Sequence, residues 1–366
     1  MSNIADFIIE DGVLKKYIGN GGDVTVPNGI NKIADEAFYN RNHITSITLP
    51  EGLTSIGKQA FSFCGKLKSV YIPKSVNEIE YASFAGCNNL DNVNIPNNVT
   101  KISECLFSKC TSLKNITLSE NLKVIDNGAF YSCSSLENIN IPLGVTDIKY
   151  DAFYFCKKLK SIDIPKSVTF IDKGVFSRCE CLESINVNRY NKVYKSINGN
   201  LYSKDGKTLI LYAPGKSETK FKIPKGVEKI SEHAFYYCTS LKNINIPEGV
   251  IEIKPSAFSH CLSLTDICFP SSTESLGEGV CNGCERLEKI ILPRNLKLIE
   301  DYAFIGCKAK KKIYYMGNKD EFEKIKIKNK NCANSPFKKS TKFYSEEKPT
   351  EDGNFWHYVD GVITEW

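Results

Sequence analysis

The chain has 366 residues, of which 42% are apolar and 25% are charged, and its formal net charge is +6. This composition is typical of an ordered globular chain and excludes an intrinsically disordered one. No apolar run approaches the length of about 18 residues that a membrane-spanning helix requires, and the first residues lack the basic and apolar regions of a secretory signal.

The N-terminal residues 1–23 are predicted to form a capping hairpin. The segment Phe7–Leu14 is largely apolar on both sides of Asp11-Gly12. An Asp-Gly pair favours the tight turn of a β-hairpin because both residues tolerate a positive φ. We therefore expect this hairpin to cover the first turn of the structure that follows.

A 23-residue motif, L-x-x-I-x-I-P-x-x-V-x-x-I-x-x-x-A-F-x-x-C, begins its repetition in residues 24–187. A fixed period predicts stacked repeats in place of separate globular domains, because no single turn can bury its own apolar face. The motif occurs eleven times in the whole chain. Its cysteine position is occupied by Cys64, Cys87, Cys110, Cys133, Cys156, Cys179, Cys238, Cys261, Cys284 and Cys307.

Each turn is predicted to contain one short strand that ends at a proline. Val70 and Ile72 point inward and alternate with Ser69 and Tyr71, and Pro73 then ends the strand pairing. A second extended piece follows, and the remaining residues allow only a turn or two of helix. We interpret the cysteines as reduced thiols in the core, because they occupy one repeated structural position.

Residues 188–222 interrupt the period and are predicted to be an inserted β-hairpin element. Two strand-like segments at 196–203 and 208–212 flank a turn at Asp205-Gly206. This arrangement resembles the N-terminal cap. The repeat then resumes in residues 223–316 as a second subarray.

Residues 317–366 are predicted to be a basic and then aromatic C-terminal cap. Twelve lysines and only three acidic residues lie between Lys308 and Ser345, and we interpret them as a solvated edge that blocks further strand pairing. Nucleic-acid binding is not expected, since no recognised binding module accompanies the charge. A mobile loop is predicted at 346–354. The apolar cover is predicted to consist of Trp356, Tyr358, Val359 and Trp366.

The repeat motif resembles that of the BspA-like leucine-rich-repeat family, whose 23-residue LRR_5-type repeats occur in surface antigens of bacteria and protists. The resemblance covers about residues 24–316. It implies a leucine-rich-repeat solenoid: a right-handed superhelix of parallel β-strands with short helical or 3-10 turns, capped at both ends, with the sheet on its concave side. It also implies adhesion or protein recognition, and a place at the cell surface or in the secreted fraction. A genuine absence of an export signal would instead indicate the cytoplasm.

Catalysis and metal binding have weak sequence support. Cys281 and Cys284 form a lone C-x-x-C, but they occupy the phenylalanine and cysteine positions of the motif and are predicted to lie in the core. The four histidines occupy different positions of the motif and are interpreted as surface residues. We expect no enzyme activity, no cofactor and no metal; an enzyme that uses a cysteine or a metal is the distant alternative.

The candidate binding site is the outward face of the strands. Short, polar and nearly uncharged side chains there offer donors and acceptors at strand spacing, which suits a protein or a glycan ligand. The open alternative is that these side chains only hydrogen-bond along the ladder. A structural cell-surface or adhesin component that acts through avidity is the second functional hypothesis, and a monomer is expected. The predicted residues are Ser69, Tyr71, Asn92, Asn94, Asn115, Thr117, Asn138, Asn140, Ser161, Asp163, Ser184 and Asn186.

Overall fold

The computed structural model describes residues 3–309, 311–328, 337, 339–345, 356–359 and 362–365. The chain divides into two compact units, Met1–Lys195 (unit 1) and Ser196–Trp366 (unit 2). Each unit is a solenoid of short parallel strands, so the predicted leucine-rich-repeat fold is confirmed. The division lies within the predicted insert at 188–222, and the exact segment boundaries stay predictions.

Unit 1 begins with a 3-10 helix at Ile4–Asp6, and strands form the rest of its regular structure. The strands are β1 (Phe7–Glu10), β2 (Val13–Tyr17), β3 (Gly22–Thr25), β4 (Lys32–Ile33), β5 (Ile44–Thr48), β6 (Ser55–Ile56), β7 (Ser69–Tyr71), β8 (Glu78–Ile79), β9 (Asn92–Asn94), β10 (Lys101–Ile102), β11 (Asn115–Thr117), β12 (Val124–Ile125), β13 (Asp147–Ile148), β14 (Ser161–Ile164), β15 (Phe170–Ile171), β16 (Ser184–Val187) and β17 (Tyr194–Ile197), which spans the division.

Unit 2 repeats this plan and also contains a short helix, α1, at Lys319–Glu323. Its strands are β18 (Asn200–Ser203), β19 (Thr208–Leu211), β20 (Lys220–Lys222), β21 (Lys229–Ile230), β22 (Asn243–Asn245), β23 (Glu252–Ile253), β24 (Asp266–Cys268), β25 (Ser275–Leu276), β26 (Lys289–Leu292), β27 (Leu298–Ile299), β28 (Lys312–Tyr315), β29 (Lys326–Ile327), β30 (Thr341–Tyr344), β31 (Trp356–Val359) and β32 (Val362–Glu365).

Most complete turns contribute one strand to each of two parallel sheets. In unit 1 the first sheet contains β11-β9-β7-β5-β3 and, after a break, β14-β16. The second contains β1-β2-β4-β6-β8 and, after a break, β10-β12-β13-β15. In unit 2 the longest sheet is β20-β22-β24-β26-β28-β30. The register aligns equivalent positions, for example Ser69 with Asn92 and Ile56 with Ile79.

The third side of each turn is the A-F-x-x-C segment. Glu36 and Asn40 have positive φ angles of 57° and 58°, and residues at both positions recur with this geometry along the unit. The alternation points the N–H groups of Glu36, Phe38 and Asn40 at carbonyl oxygens of the next turn, 2.7 to 2.9 Å away. The short helical or 3-10 turns expected here are thus tight turns with alternating negative and positive φ angles. Their N–H groups donate to the next turn of the solenoid.

Phenylalanine and cysteine form continuous columns in the core. From Phe38 to Phe176, successive rings stack with centroids 4.9 to 5.8 Å apart and planes within 18° of parallel. The cysteines of the motif are free and buried, as predicted. Nine of their thiols donate to a carbonyl oxygen 26 residues earlier, at 3.1 to 3.2 Å.

Both units contain an antiparallel hairpin near their beginning. In unit 1, β1 pairs with β2, and β2 then pairs in parallel with β4. In unit 2, β18 pairs with β19, and β19 then pairs in parallel with β21. Tyr17 stacks on Phe38 at 5.2 Å, and Tyr212 stacks on Phe235 at 5.4 Å. The resemblance between the two predicted hairpins therefore extends to the aromatic ring that begins each column.

The end of the unit 1 array has a polar capping device that the sequence did not indicate. Asn191 is 1% exposed, and its amide donates to the carbonyl oxygens of Pro165 and Val168 at 2.9 and 2.8 Å. Its carbonyl oxygen accepts from the N–H groups of Val193 and Tyr194. The Tyr194 hydroxyl accepts from Ile171 N–H at 3.0 Å. These bonds give hydrogen-bond partners to main-chain groups at the end of the array.

Of the four residues predicted to form the apolar cover, the structure describes the side chain of Trp356. Trp356 is 1% exposed, packs edge-to-face on Tyr314, and donates its indole N–H to the carbonyl oxygen of Tyr315 at 3.1 Å. β31 and β32 form an antiparallel pair. The side chains of Tyr358 and Val359, the whole of Trp366 and the predicted loop at 346–354 lie outside what the structure describes.

Candidate binding surface

The predicted site residues lie on the outward face of unit 1: ten are on strands of the first sheet, and Asn138 and Asn140 lie between β11 and β14. We call these twelve residues the polar ladder: Ser69, Tyr71, Asn92, Asn94, Asn115, Thr117, Asn138, Asn140, Ser161, Asp163, Ser184 and Asn186. All are exposed or half-buried, whereas the apolar residues between them face the core, apart from the half-buried Ile116. The strand register places Ser69 beside Asn92, Asn92 beside Asn115, and Asp163 beside Asn186. The geometry of aligned polar side chains is thus as expected.

Four members of the polar ladder already use their hydrogen-bonding groups within the protein. Asn94 accepts from Ile72 N–H at 3.0 Å and donates to Ile72 C=O at 2.9 Å. Asn186 donates to Asp163 at 2.9 Å and accepts from the Ser184 hydroxyl at 2.6 Å. For these residues the alternative interpretation holds, because their side chains stabilise the ladder itself.

The other eight side chains form a group with unused hydrogen-bonding capacity. Within the described residues, which include the whole ladder, none of them forms a side-chain hydrogen bond to the protein. Tyr71 is 56% exposed at one end of the group. The eight residues are Ser69, Tyr71, Asn92, Asn115, Thr117, Asn138, Asn140 and Ser161.

The first sheet is interrupted in the middle of this group. The sequence predicts a strand at 138–140, but in the described structure these residues form no bridge to β11 or β14. On the β14 side one main-chain bond remains, from Lys160 N–H to Glu137 C=O, and it is long, at 3.5 Å. Ile139 stays buried while Asn138 and Asn140 stay exposed, so the side-chain alternation persists without the ladder bonds.

The corresponding faces of the two units differ in charge. In unit 1 the only charged member of the polar ladder is Asp163. In unit 2 the equivalent strands carry exposed lysines at Lys220, Lys222, Lys289 and Lys312. The outward face of unit 1 is therefore nearly uncharged, whereas the equivalent face of unit 2 carries several cations.

The candidate reactive groups occupy core or aromatic positions. Cys281 and Cys284 are buried, and burial raises the pKa of the Cys281 thiol well above its ordinary range. His233 and His260 are half-buried in an aromatic cluster with Tyr236 and Tyr237, with ring centroids 4.7 to 5.6 Å apart. Among the described residues, no three His, Cys, Asp or Glu side chains converge on a possible metal position.

Comparison with known proteins identifies the repeat. The family model for the BspA type leucine-rich repeat region, in six copies, matches residues 9–114, 83–205 and 213–334. This chain belongs to the BspA-type leucine-rich repeat family. The family assignment confirms the resemblance drawn from the motif. No curated protein matches the sequence, and in the described part of the chain no helix is long and apolar enough to cross a bilayer.

Solved structures of bacterial leucine-rich repeat proteins share the fold. A leucine-rich cell surface protein of Faecalibacterium prausnitzii A2-165 is 28% identical, with a TM-score of 0.64, and the match covers 89% of this chain and 95% of that one. A leucine-rich repeat protein of Bacteroides ovatus is 26% identical, with a TM-score of 0.59 and coverage of 91% and 87%. The pneumococcal vaccine antigen PcpA is 21% identical, with a TM-score of 0.58 and coverage of 86% and 91%, which shows the fold alone.

Proposed function

We propose that this BspA-type repeat protein is a non-catalytic binding scaffold whose polar ladder engages a macromolecular partner. The observation that carries the proposal is the group of eight ladder side chains with unused donors and acceptors. Side chains that are committed to the fold cannot bind a partner without losing their present bonds, whereas these eight can. A protein is the partner that the family favours, and a glycan is compatible with the same hydrogen-bonding groups.

The interruption at 138–140 adds main-chain groups to the proposed surface. Donors and acceptors that are not used in a ladder are available to an extended segment of a partner, which is a common mode of peptide recognition. Tyr71 supplies an exposed aromatic ring at the edge of the group, and aromatic rings are frequent anchors of protein interfaces. We expect the protein to act as a monomer, with affinity that depends on several turns together.

The test is a pull-down with the wild-type chain and the variant Asn115→Arg/Asn138→Arg/Ser161→Arg, from native lysate and from candidate extracellular material. Arginine adds bulk and charge to the ladder, and lysines at the equivalent positions of unit 2 show that a long cation is compatible with the fold. A partner that is captured by the wild type and lost by the variant supports the proposal.

A matched control places the same three charges beside the ladder. Asn89→Arg/Ser112→Arg/Ser135→Arg changes a motif position that is lysine at Lys66 and Lys158, so the cation is again compatible with the fold. The control should retain the partner. Equal capture by all three proteins would move recognition away from the ladder, towards the caps or the hairpin at β18 and β19.

The second candidate is a structural cell-surface or adhesin component that acts through avidity. The similarity to a protein described as a leucine-rich cell surface protein favours it. This hypothesis predicts no capture by a single soluble copy and measurable adhesion only when many copies are displayed on a bead or a cell. An enzyme is the distant alternative, and stoichiometric zinc or one hyper-reactive thiol in the purified protein would support it.

A further inference from the structure

A cleft of about 580 Å³ opens on the second sheet of unit 1, at the break between β8 and β10. It includes residues of both strands and of the loops that follow them. The cleft is separate from the polar ladder, since it lies on the other sheet and shares no residue with it.

The cleft coincides with missing main-chain hydrogen bonds. In the turns on either side, adjacent second strands are linked by main-chain bonds of 2.8 to 3.0 Å at their two ends. Between β8 and β10, both fully within the described residues, neither bond is formed. The Ile79 carbonyl accepts instead from the Ser103 hydroxyl at 2.5 Å. The N–H groups of Thr100 and Ser103 therefore lack the partners that their equivalents have.

The cleft also carries negative charge that the protein does not neutralise. Asp126 is paired with Lys101 at 2.5 Å and with Lys149 at 3.1 Å. The carboxylates of Glu78, Glu80 and Glu104 also line the cleft, and none of them forms an ion pair within the described part of the chain. Three unpaired carboxylates in a concave site focus a negative potential, although the chain as a whole has a net charge of +6.

The arrangement suits an organic cation better than a metal ion. Among the described residues, no three acidic, histidine or cysteine side chains converge closely enough to hold one metal. Separated carboxylates can instead each pair with the ammonium group of a lysine or the guanidinium group of an arginine. Tyr81, which is 43% exposed and lines the same cleft, offers a ring face for a cation–π contact.

We infer that the cleft between β8 and β10 binds an extended, lysine- or arginine-containing segment of a partner protein. The cationic side chains lie among Glu78, Glu80 and Glu104. Carbonyl groups of the segment accept from the N–H groups of Thr100 and Ser103, which lack main-chain partners within the described residues. No whole strand inserts between β8 and β10, because Ser103 still joins them through the Ile79 carbonyl. This inference does not depend on the polar ladder.

The experiment measures the fluorescence anisotropy of a short labelled peptide in which lysine alternates with threonine, titrated with the full-length chain. Alternation places all lysines on one face of an extended peptide. The test variant is Glu78→Gln/Glu80→Gln/Glu104→Gln, which keeps side-chain size and removes three charges. The control variant, Glu51→Gln/Glu120→Gln/Glu183→Gln, removes three charges from exposed positions of the same unit. Circular dichroism verifies that both variants fold.

We expect the wild type to bind the peptide and the cleft variant to bind it about tenfold more weakly, while the control variant stays within about threefold of the wild type. Glu104→Lys alone should weaken binding as well, because it reverses one charge in the cleft. No binding by the wild type, equal weakening by both triple variants, or equal binding of a peptide with glutamate in place of lysine would each overturn the inference.

Discussion

The thiol of Cys110 donates a hydrogen bond to the carbonyl oxygen of Phe84, 26 residues earlier in the chain, at 3.2 Å. The same relationship joins the cysteine and phenylalanine positions of neighbouring turns in both units. Because these carbonyls lie in the core, the thiol supplies a donor where water cannot. The cysteine position of the motif is thereby explained by a hydrogen bond as well as by its apolar character.

We predict that alkaline pH destabilises the protein through these thiols. Burial raises the pKa of Cys64 from 9.0 to about 12. Since the folded state holds this proton more tightly than the unfolded state, the contribution is fully present below pH 9.0 and is lost as pH rises towards about 12. The control is Cys181→Ala, which changes an exposed thiol. Compared with this control, Cys64→Ala should have a lower melting temperature near neutral pH. Its melting temperature should then fall less as the pH is raised into the alkaline range. Identical pH profiles for the two variants would contradict this account.

We predict that Phe107→Ala is strongly destabilising. Phe107 is fully buried, and its ring stacks on both Phe84 and Phe130. Removing the ring opens a cavity in the middle of the column, and the free energy of unfolding should fall by about 3 to 5 kcal/mol. Chemical denaturation measures this change. Tyr71→Ala, at a position that is 56% exposed, is the control and should stay within about 0.5 kcal/mol.

We predict that Asn191→Ala unfolds the end of the unit 1 array more readily. The variant loses two donor and two acceptor interactions of a side chain that is 1% exposed. Buried main-chain groups left without partners should lower the free energy of unfolding by about 3 kcal/mol. Asn188→Ala removes an exposed bond to Tyr190 N–H and serves as the control. Hydrogen exchange should increase at the Val193 and Tyr194 amides, which lose their acceptor in the first variant; unchanged exchange there would exclude the capping role.

We predict that Asp151→Asn stabilises the protein at neutral pH. Burial, with a smaller contribution from Asp172, raises the pKa of Asp151 from 3.8 to about 6. Its favourable state is the protonated one, so its contribution is present below pH 3.8 and is lost as pH rises through about 6. Asparagine stays neutral and tolerates the positive φ of 52° at this position. The variant's advantage in melting temperature should be visible above pH 7 and vanish in acid; an advantage of the same size at both pH values would point to another cause.

The repeat made the columns predictable, because equivalent residues 23 positions apart must stack if turns stack. The buried thiols and the alternation of the polar ladder follow from that argument, whereas the hairpins were predictable from their Asp-Gly turns. The breaks at 138–140 and between β8 and β10 follow from neither. The motif letters at both breaks are the same as in paired turns, so the motif alone does not distinguish these turns from the others. The two hydrogen bonds between the Asn94 side chain and the main chain of Ile72 could not be predicted either. Asn92, two residues earlier on the same strand, has the same side chain and forms no such bond.

The constant offset of 23 residues between turns has a genetic consequence. Deleting or duplicating one whole turn in the middle of unit 1 would leave β1, β2 and Asn191 unchanged and would join two surfaces that already fit each other. Unequal recombination between repeats can therefore lengthen or shorten the array while the same residues continue to cap its two ends. Closely related chains are expected to differ in length by whole turns, with the hairpins as fixed landmarks.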